Sequence, residues 1–467
     1  MASNSNFNVS VTKNEVVAAA LPVQEPHYLP HSNLDLLLPP VDVGVFFCYQ
    51  KPAAASAQTT TEEHATTFGW MVNTLKAALS EALVSFYALA GEVEQNLAGE
   101  PELICNNRGV DFVQAFADVE LRKLNLYKPD DSVEGKLVPK KKQGVLSVQA
   151  TELKCGGIVV AVKFDHRVAD AYSANMFLVS WSEIAQAKQL SQLPCFRRSF
   201  LFPRRPAHYD LSLDNMYVPI SSLQPEAVEE PKISRIYCVA AEQIRELQSQ
   251  ANHYSADELK HPRRTKLEAF CAFLWKTVAS GKSRRNFKNF KLGIVVDGRT
   301  RLSIGDENKA KFLQGYFGNV LSFPFEEKTI KELREKPLSW VASAVHEFLE
   351  EALTGDHFLG LIDWVEAHRP EPAIPKVHDC VDGAALVVSS GQRFPVRKID
   401  FGWGKPAFGS YHFPWGGQSG YVMPMPSPKG NGDWIVYMHL QKEKVELIET
   451  YASHVFKPFT SDHLNFN

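Results

Sequence analysis

Residues 158–181 change their hydrophobic period partway along, and that change limits what the chain can fold into. In Ile158-Val159-Val160-Ala161-Val162-Lys163-Phe164-Asp165, the residues Ile158, Val160, Val162 and Phe164 share one face, the alternation of a β-strand. After Asp170, Met176, Phe177, Val179, Ser180 and Trp181 fall near helical spacing,. A strand that turns within a few residues into a helix calls for layered packing of strands and helices. The turn itself reads His166-Arg167-Val168-Ala169-Asp170. A histidine at a strand end sits where a rigid scaffold commonly holds loop residues for chemistry.

An HxxxD spacing alone selects nothing, because a chain with 15 histidines should hold on the order of one by chance,. Here there are four: His31/Asp35, His166/Asp170, His253/Asp257 and His378/Asp382. His31 lies in a Pro-rich stretch and His253 in a polar segment. His378 falls between Pro375 and Gly383, the surroundings of a loop. Only His166 closes a strong strand pattern.

At 467 residues, two domains are expected,. The 45% hydrophobic and 22% charged content is that of a globular protein, and a net charge of −3 points to no nucleic-acid partner,. The seven cysteines are scattered and odd in number, without a CxxC. That pattern predicts reduced thiols and no metal site. The polar N-terminus has no apolar signal core. No apolar run approaches the roughly 20 residues of a transmembrane helix, so cytoplasmic location without membrane association is expected.

Strands are expected at 9–11, 43–49, 102–106, 111–115, 234–239 and 292–296, and helices at 71–87, 241–251 and 265–278. Between 190 and 232 six prolines fall and helical periodicity is lost, as in an interdomain crossover,. The expected division is therefore 1–189, a crossover at 190–232, and 233–467. A segment near 375–400 is left room to pack on the N-terminal unit.

A second short motif, Asp400-Phe401-Gly402-Trp403-Gly404, lies far downstream. Between the two come Val296-Asp297-Gly298-Arg299-Thr300-Arg301 and Tyr316-Phe317-Gly318-Asn319, and upstream of both lie Leu75–Gly91 and Cys105-Asn106-Asn107-Arg108-Gly109-Val110. In this order the segments resemble the BAHD family of plant acyl-CoA-dependent acyltransferases, over essentially the whole chain. The resemblance implies an α/β fold of two similarly sized chloramphenicol acetyltransferase-like domains with mixed sheets and a channel between them. It implies His166 midway along that channel as general base, acyl-CoA as cosubstrate with no permanently bound cofactor, and a monomer.

The resemblance also assigns supporting roles. Asp170 is expected to pair with an arginine, Arg299 first and Arg301 as fallback, rather than orient the imidazole. Asp400, Gly402 and Gly404 are structural support. Relatives carry a Thr-Ser-Trp stretch that contributes to the oxyanion site. Here Ser389-Ser390-Gly391 stands in its place without the Trp, leaving Ser389 as candidate donor. Lys266, Lys282, Arg284 and Arg285 lie in segments that face CoA in relatives. Relatives often have His and Gly flanking the motif where this chain has Asp165 and Ala171.

Residues 32–40 and 389–395 look most like the subgroup of coniferyl alcohol acyltransferases. That likeness implies acetyl transfer to a phenylpropanoid alcohol, consistent with an aromatic-lined channel taking a small aromatic acceptor. The alternatives are hydroxycinnamoyl transfer to shikimate, quinate or an amine, with Arg393 available to a carboxylate, and a non-catalytic homologue that binds CoA or a small molecule.

Overall fold

The computed structural model describes residues 6–21, 25–52, 67–222, 231–253, 262–281, 287–380 and 383–466. Two mixed sheets organise the chain. The first has six strands in the order Val9–Val17, Val110–Ala117, Leu146–Leu153, Ile158–Asp165, Asp42–Tyr49 and Phe408–His412. Only its second and third strands run parallel. The second sheet runs Leu321–Ser322, Asn289–Asp297, Gly383–Ser389, Gly420–Pro426, Trp434–Gln441, Lys232–Val239 and Lys457–Pro458, with Phe325–Thr329 also paired to Asn289–Asp297. Its parallel pairs join Asn289–Asp297, Gly383–Ser389 and Gly420–Pro426.

The strand before His166 departs from simple alternation. Every residue of Ile158–Asp165 except Lys163 is buried, including Val159 and Ala161 on the face expected to be polar. The cause is cover on both faces. The apolar cluster around this strand takes in Leu75, Leu79 and Leu83 of helix Phe68–Ser85 and Phe177 and Trp181 of helix Ala171–Ala185. It also takes in Met423, Met425, Ile435 and Tyr437 from the second sheet. The two helices are tied together by Trp181 Nε1, which donates to the Leu75 carbonyl at 3.0 Å.

The two sheets exchange sequence. Phe408–His412 pairs antiparallel with Asp42–Tyr49, so a segment far down the chain completes the first sheet. Phe394, Val396 and Ile399 pack in the same core. The proline-rich stretch after residue 190 forms short 3-10 turns and the strand Tyr217–Pro219, which pairs with Ala373–Pro375. All seven cysteines are free thiols. Among the described residues no helix is long and apolar enough to cross a membrane.

Candidate active site

His166 stands one residue beyond its strand, and the backbone there is held from both sides. Its N–H donates to the Val41 carbonyl at 2.9 Å. Its carbonyl accepts from Asn319 Nδ2 at 2.9 Å. Asn319 is fixed in turn by Asp35, whose Oδ1 accepts the Asn319 N–H at 2.7 Å and Nδ2 at 2.9 Å. Asp35 is fully buried, and its other oxygen accepts from the Ser32 N–H and hydroxyl. In the sequence His31/Asp35 is one more chance HxxxD. Its carboxylate nonetheless underlies the His166 loop, through a contact no local pattern reveals.

Burial pulls the His166 pKa below its usual 6.5, while its own carbonyl, Asp170, Asp165 and Asn319 push back. The imidazole is therefore neutral near pH 7. Nδ1 is sealed from solvent without a well-formed hydrogen bond, so Nε2 is the nitrogen available to the cavity. Such a group can take a proton from an alcohol.

Asp170 does different work. It caps helix Ala171–Ala185, its Oδ1 accepting from the Ser173 N–H at 2.8 Å. Arg299 donates Nη1 to Oδ2 at 2.7 Å and Nη2 to Oδ1 at 3.1 Å. The Val320 N–H is a second partner of Oδ2, at 3.2 Å. The pair is 1% and 3% exposed. Among the described residues no hydrogen bond joins this carboxylate to the imidazole. Arg301 lines the cavity instead. Asp165, the departure from relatives, forms a two-pronged pair with Arg167 at 3.0 and 2.6 Å.

The cavity measures about 440 Å³ and lies between the sheets, lined by Val43 and Phe164 from one and Ile294, Val387 and Met423 from the other. Its polar lining includes Asp297, Thr300, Arg301 and Arg393, and its aromatic lining includes Phe413 and Trp415. Phe413 meets His166 edge-on at 6.4 Å and stacks on Trp415 at 6.1 Å. Trp415 meets His378 at 4.6 Å. The sequence predicts a loop around His378. It ends the 3-10 turn Lys376–His378 and lines the same cavity as His166. No sequence signal places it there, because the turn's position follows from the pairing of the preceding strand Ala373–Pro375 with Tyr217–Pro219.

Ser389 also lines the cavity, beside Tyr421, whose phenol is pushed up by burial and held back by a hydrogen bond with Ser389. The missing Trp has a steric reason. A Cβ at Gly391 would lie 2.6 Å from Met425 Cγ and 2.9 Å from the Pro424 carbonyl, so no large side chain fits there.

The downstream motif does not line the cavity. Asp400 Oδ1 accepts from the Gly402 and Gly404 N–H groups at 2.9 and 3.0 Å, closing a turn in which both glycines sit at φ +108. Phe401 is fully buried against Trp181, and Trp403 lies edge-on to Trp70 and Tyr49. Lys266 is exposed at the start of helix Lys266–Ala279, while Thr265, Leu267 and Glu268 beside it line the cavity. Lys282, Arg284 and Arg285 lie outside the described residues.

Residues 7–455 match the family described as Transferase. The chain is 28% identical over 392 residues to shikimate O-hydroxycinnamoyltransferase of Nicotiana tabacum, covering 81% of this chain and 86% of that one. Its fold matches crystalline vinorine synthase with a TM-score of 0.69 at 20% identity, covering 97% and 100% of the two chains. It also matches F. sporotrichioides TRI101, complexed with coenzyme A and T-2, with a TM-score of 0.71 at 16% identity, covering 91% and 97%. With the family matched along nearly its whole length, this chain belongs to the Transferase family of BAHD acyltransferases and is an acyltransferase of the non-aminoacyl kind.

Proposed function

We propose that the chain moves an acyl group, acetyl in preference, from acyl-CoA to a phenylpropanoid alcohol such as coniferyl alcohol, with His166 as general base. The observation that carries this reading is the aromatic wall of Phe413 and Trp415 running from His166 through the cavity. A flat aromatic acceptor lies against such a wall with its alcohol at Nε2. Nε2 takes the hydroxyl proton as the oxygen attacks the thioester carbonyl. Ser389 donates to the oxyanion of the tetrahedral intermediate. Collapse breaks the C–S bond, and the protonated imidazole returns its proton to the CoA thiolate. Asp170 and Arg299 hold the loop and helix start rather than the proton.

The polar lining of the cavity suits CoA. Lys266, next to the lining residues Thr265 and Leu267, supplies a cation for its phosphates, and Lys282, Arg284 and Arg285 are assigned the same role from the sequence alone. That a relative is named a shikimate O-hydroxycinnamoyltransferase favours a second reading, transfer to an acceptor bearing a carboxylate. Arg393 is one cation the cavity offers such an acceptor, beside Arg301, but its Nη1 already lies 3.6 Å from Asp297 and its side chain is 69% exposed. A carboxylate there would compete with Asp297 and with water.

The test is free-thiol release from acetyl-CoA with coniferyl alcohol, comparing the wild type with His166→Ala. Release by the wild type alone supports the reaction and its base. Release by both variants would remove His166 from the chemistry. No release from either, with release on hydroxycinnamoyl-CoA and shikimate, would replace the substrate pair by the second reading.

A further inference from the structure

Among the described residues two histidines line the cavity, and they stand at the two ends of a chain of ring contacts. His166 meets Phe413, Phe413 stacks on Trp415, and Trp415 meets His378. The His378 ring is locked. Its Nδ1 lies 2.8 Å from the hydroxyl of the fully buried Ser419. The Ser419 carbonyl accepts from Trp415 Nε1 at 3.2 Å, so one residue orients both rings. Phe323 packs on the other side at 6.2 Å. Among the described residues no protein group is hydrogen-bonded to His378 Nε2.

We propose that His378 is the second anchor of the acceptor, its Nε2 hydrogen-bonding a phenolic hydroxyl at the end of the molecule opposite the alcohol that His166 deprotonates. This rests on the reading of the cavity as an acceptor site for aromatic alcohols and narrows it. The preferred acceptor carries two hydroxyls separated by a flat aromatic frame, the alkyl one acylated and the aryl one recognised. Burial pushes the His378 pKa down to about 3, so the ring is neutral at any working pH. A neutral imidazole bonds well to a phenol and offers no charge to a carboxylate.

The experiment compares p-coumaryl alcohol with cinnamyl alcohol, which differ only in the ring hydroxyl, as acceptors for acetyl-CoA by free-thiol release. The wild type should favour p-coumaryl alcohol in kcat/KM by at least about tenfold, because a site built around a hydroxyl rejects the analogue lacking it. In His378→Phe, which keeps an aromatic ring against Trp415, that preference should collapse. The loss should fall on KM for the hydroxylated alcohol. Ser419→Ala, which frees the ring without removing it, should reduce the preference in part and serves if the first variant folds poorly. Equal kcat/KM for the two alcohols in the wild type, or an undiminished preference in His378→Phe, overturns the proposal. If neither alcohol is acylated, the proposed reaction fails separately. Calorimetric binding of the same two alcohols to the wild type and His378→Phe then decides the anchor, equal affinities refuting it.

Discussion

His166 suits the role of base because its surroundings keep it neutral without taking its second nitrogen. Burial lowers its pKa from 6.5, and four nearby acceptors limit the fall. In the proposed reaction the base must be unprotonated, so kcat/KM should be flat near pH 7 and fall only once the pH drops below 6.5. An acid limb centred above 7 would point to a different base. His166→Ala should cost about 10²–10⁴-fold in rate with little change in stability, general base catalysis being of that size. Asp170 should behave in the opposite way. Removing it leaves the Arg299 guanidinium, 3% exposed, without its two-pronged partner and with only Asp297 Oδ1 at 3.2 Å. Asp170→Ala should therefore lose about 3–5 kcal/mol, read as a lower denaturation midpoint. In its surviving folded fraction the acid limb should move to lower pH, because the Asp170 charge helps hold the His166 pKa up. Unchanged stability, or a limb shifted to higher pH, would overturn this account of Asp170.

At the scale of elements, the Asp400–Gly404 turn makes the sharpest case of motif without chemistry. Its carboxylate closes on two backbone N–H groups, and its aromatic residues fill a groove beside Trp70, Tyr49 and Trp181. Asp400→Ala should lower stability by about 1–2 kcal/mol, whereas Asp400→Asn keeps an accepting oxygen and should lose less. Gly402→Ala, with open space for the methyl but φ at +108, should lose about 1 kcal/mol through backbone strain alone,. Thermal midpoints of the three variants check this order. Elements with a clear period were legible in the sequence. Helix Ala241–Ala251 has the bounds its spacing predicts, and Asn289–Asp297 extends the expected 292–296 at both ends. Trp434–Gln441 and Gly420–Pro426 were not legible. Both lie in the middle of the second sheet and are buried nearly throughout, which erases the alternation that marks a strand,. The site divides the same way. His166 and Asp170 lie together on one local turn, so the sequence displays them. Asp35, Asn319 and His378 arrive by strand pairing and buried hydrogen bonds, and their neighbours in sequence are not their neighbours in space.

Across the whole molecule, one arrangement repeats. His357, His378 and His439 each sit in the interior against a serine hydroxyl, with Ser322 at 2.7 Å, Ser419 at 2.8 Å and Ser234 at 3.0 Å. Burial lowers their pKa values to about 4, about 3 and about 4. All three are set in or beside the second sheet, so they weigh on its packing rather than on any exposed loop. The unfolded chain binds protons at these groups near pH 6.5, while the folded chain resists them until far lower pH. Their stabilising contribution is therefore complete above 6.5 and drains away as the pH falls toward 4. At pH 5 each should have cost the fold about 2 kcal/mol. Together that is of the same order as the net stability of a folded domain. Native carboxylates add little at that point, since their titration begins lower. The urea midpoint should be nearly constant from pH 8 to 7 and then drop by about 1 M or more by pH 5, with the second sheet's amides losing hydrogen-exchange protection first. A midpoint equally high at pH 5 and pH 7 would mean that water reaches these imidazoles in the folded protein and that their serine partners accommodate the charged ring.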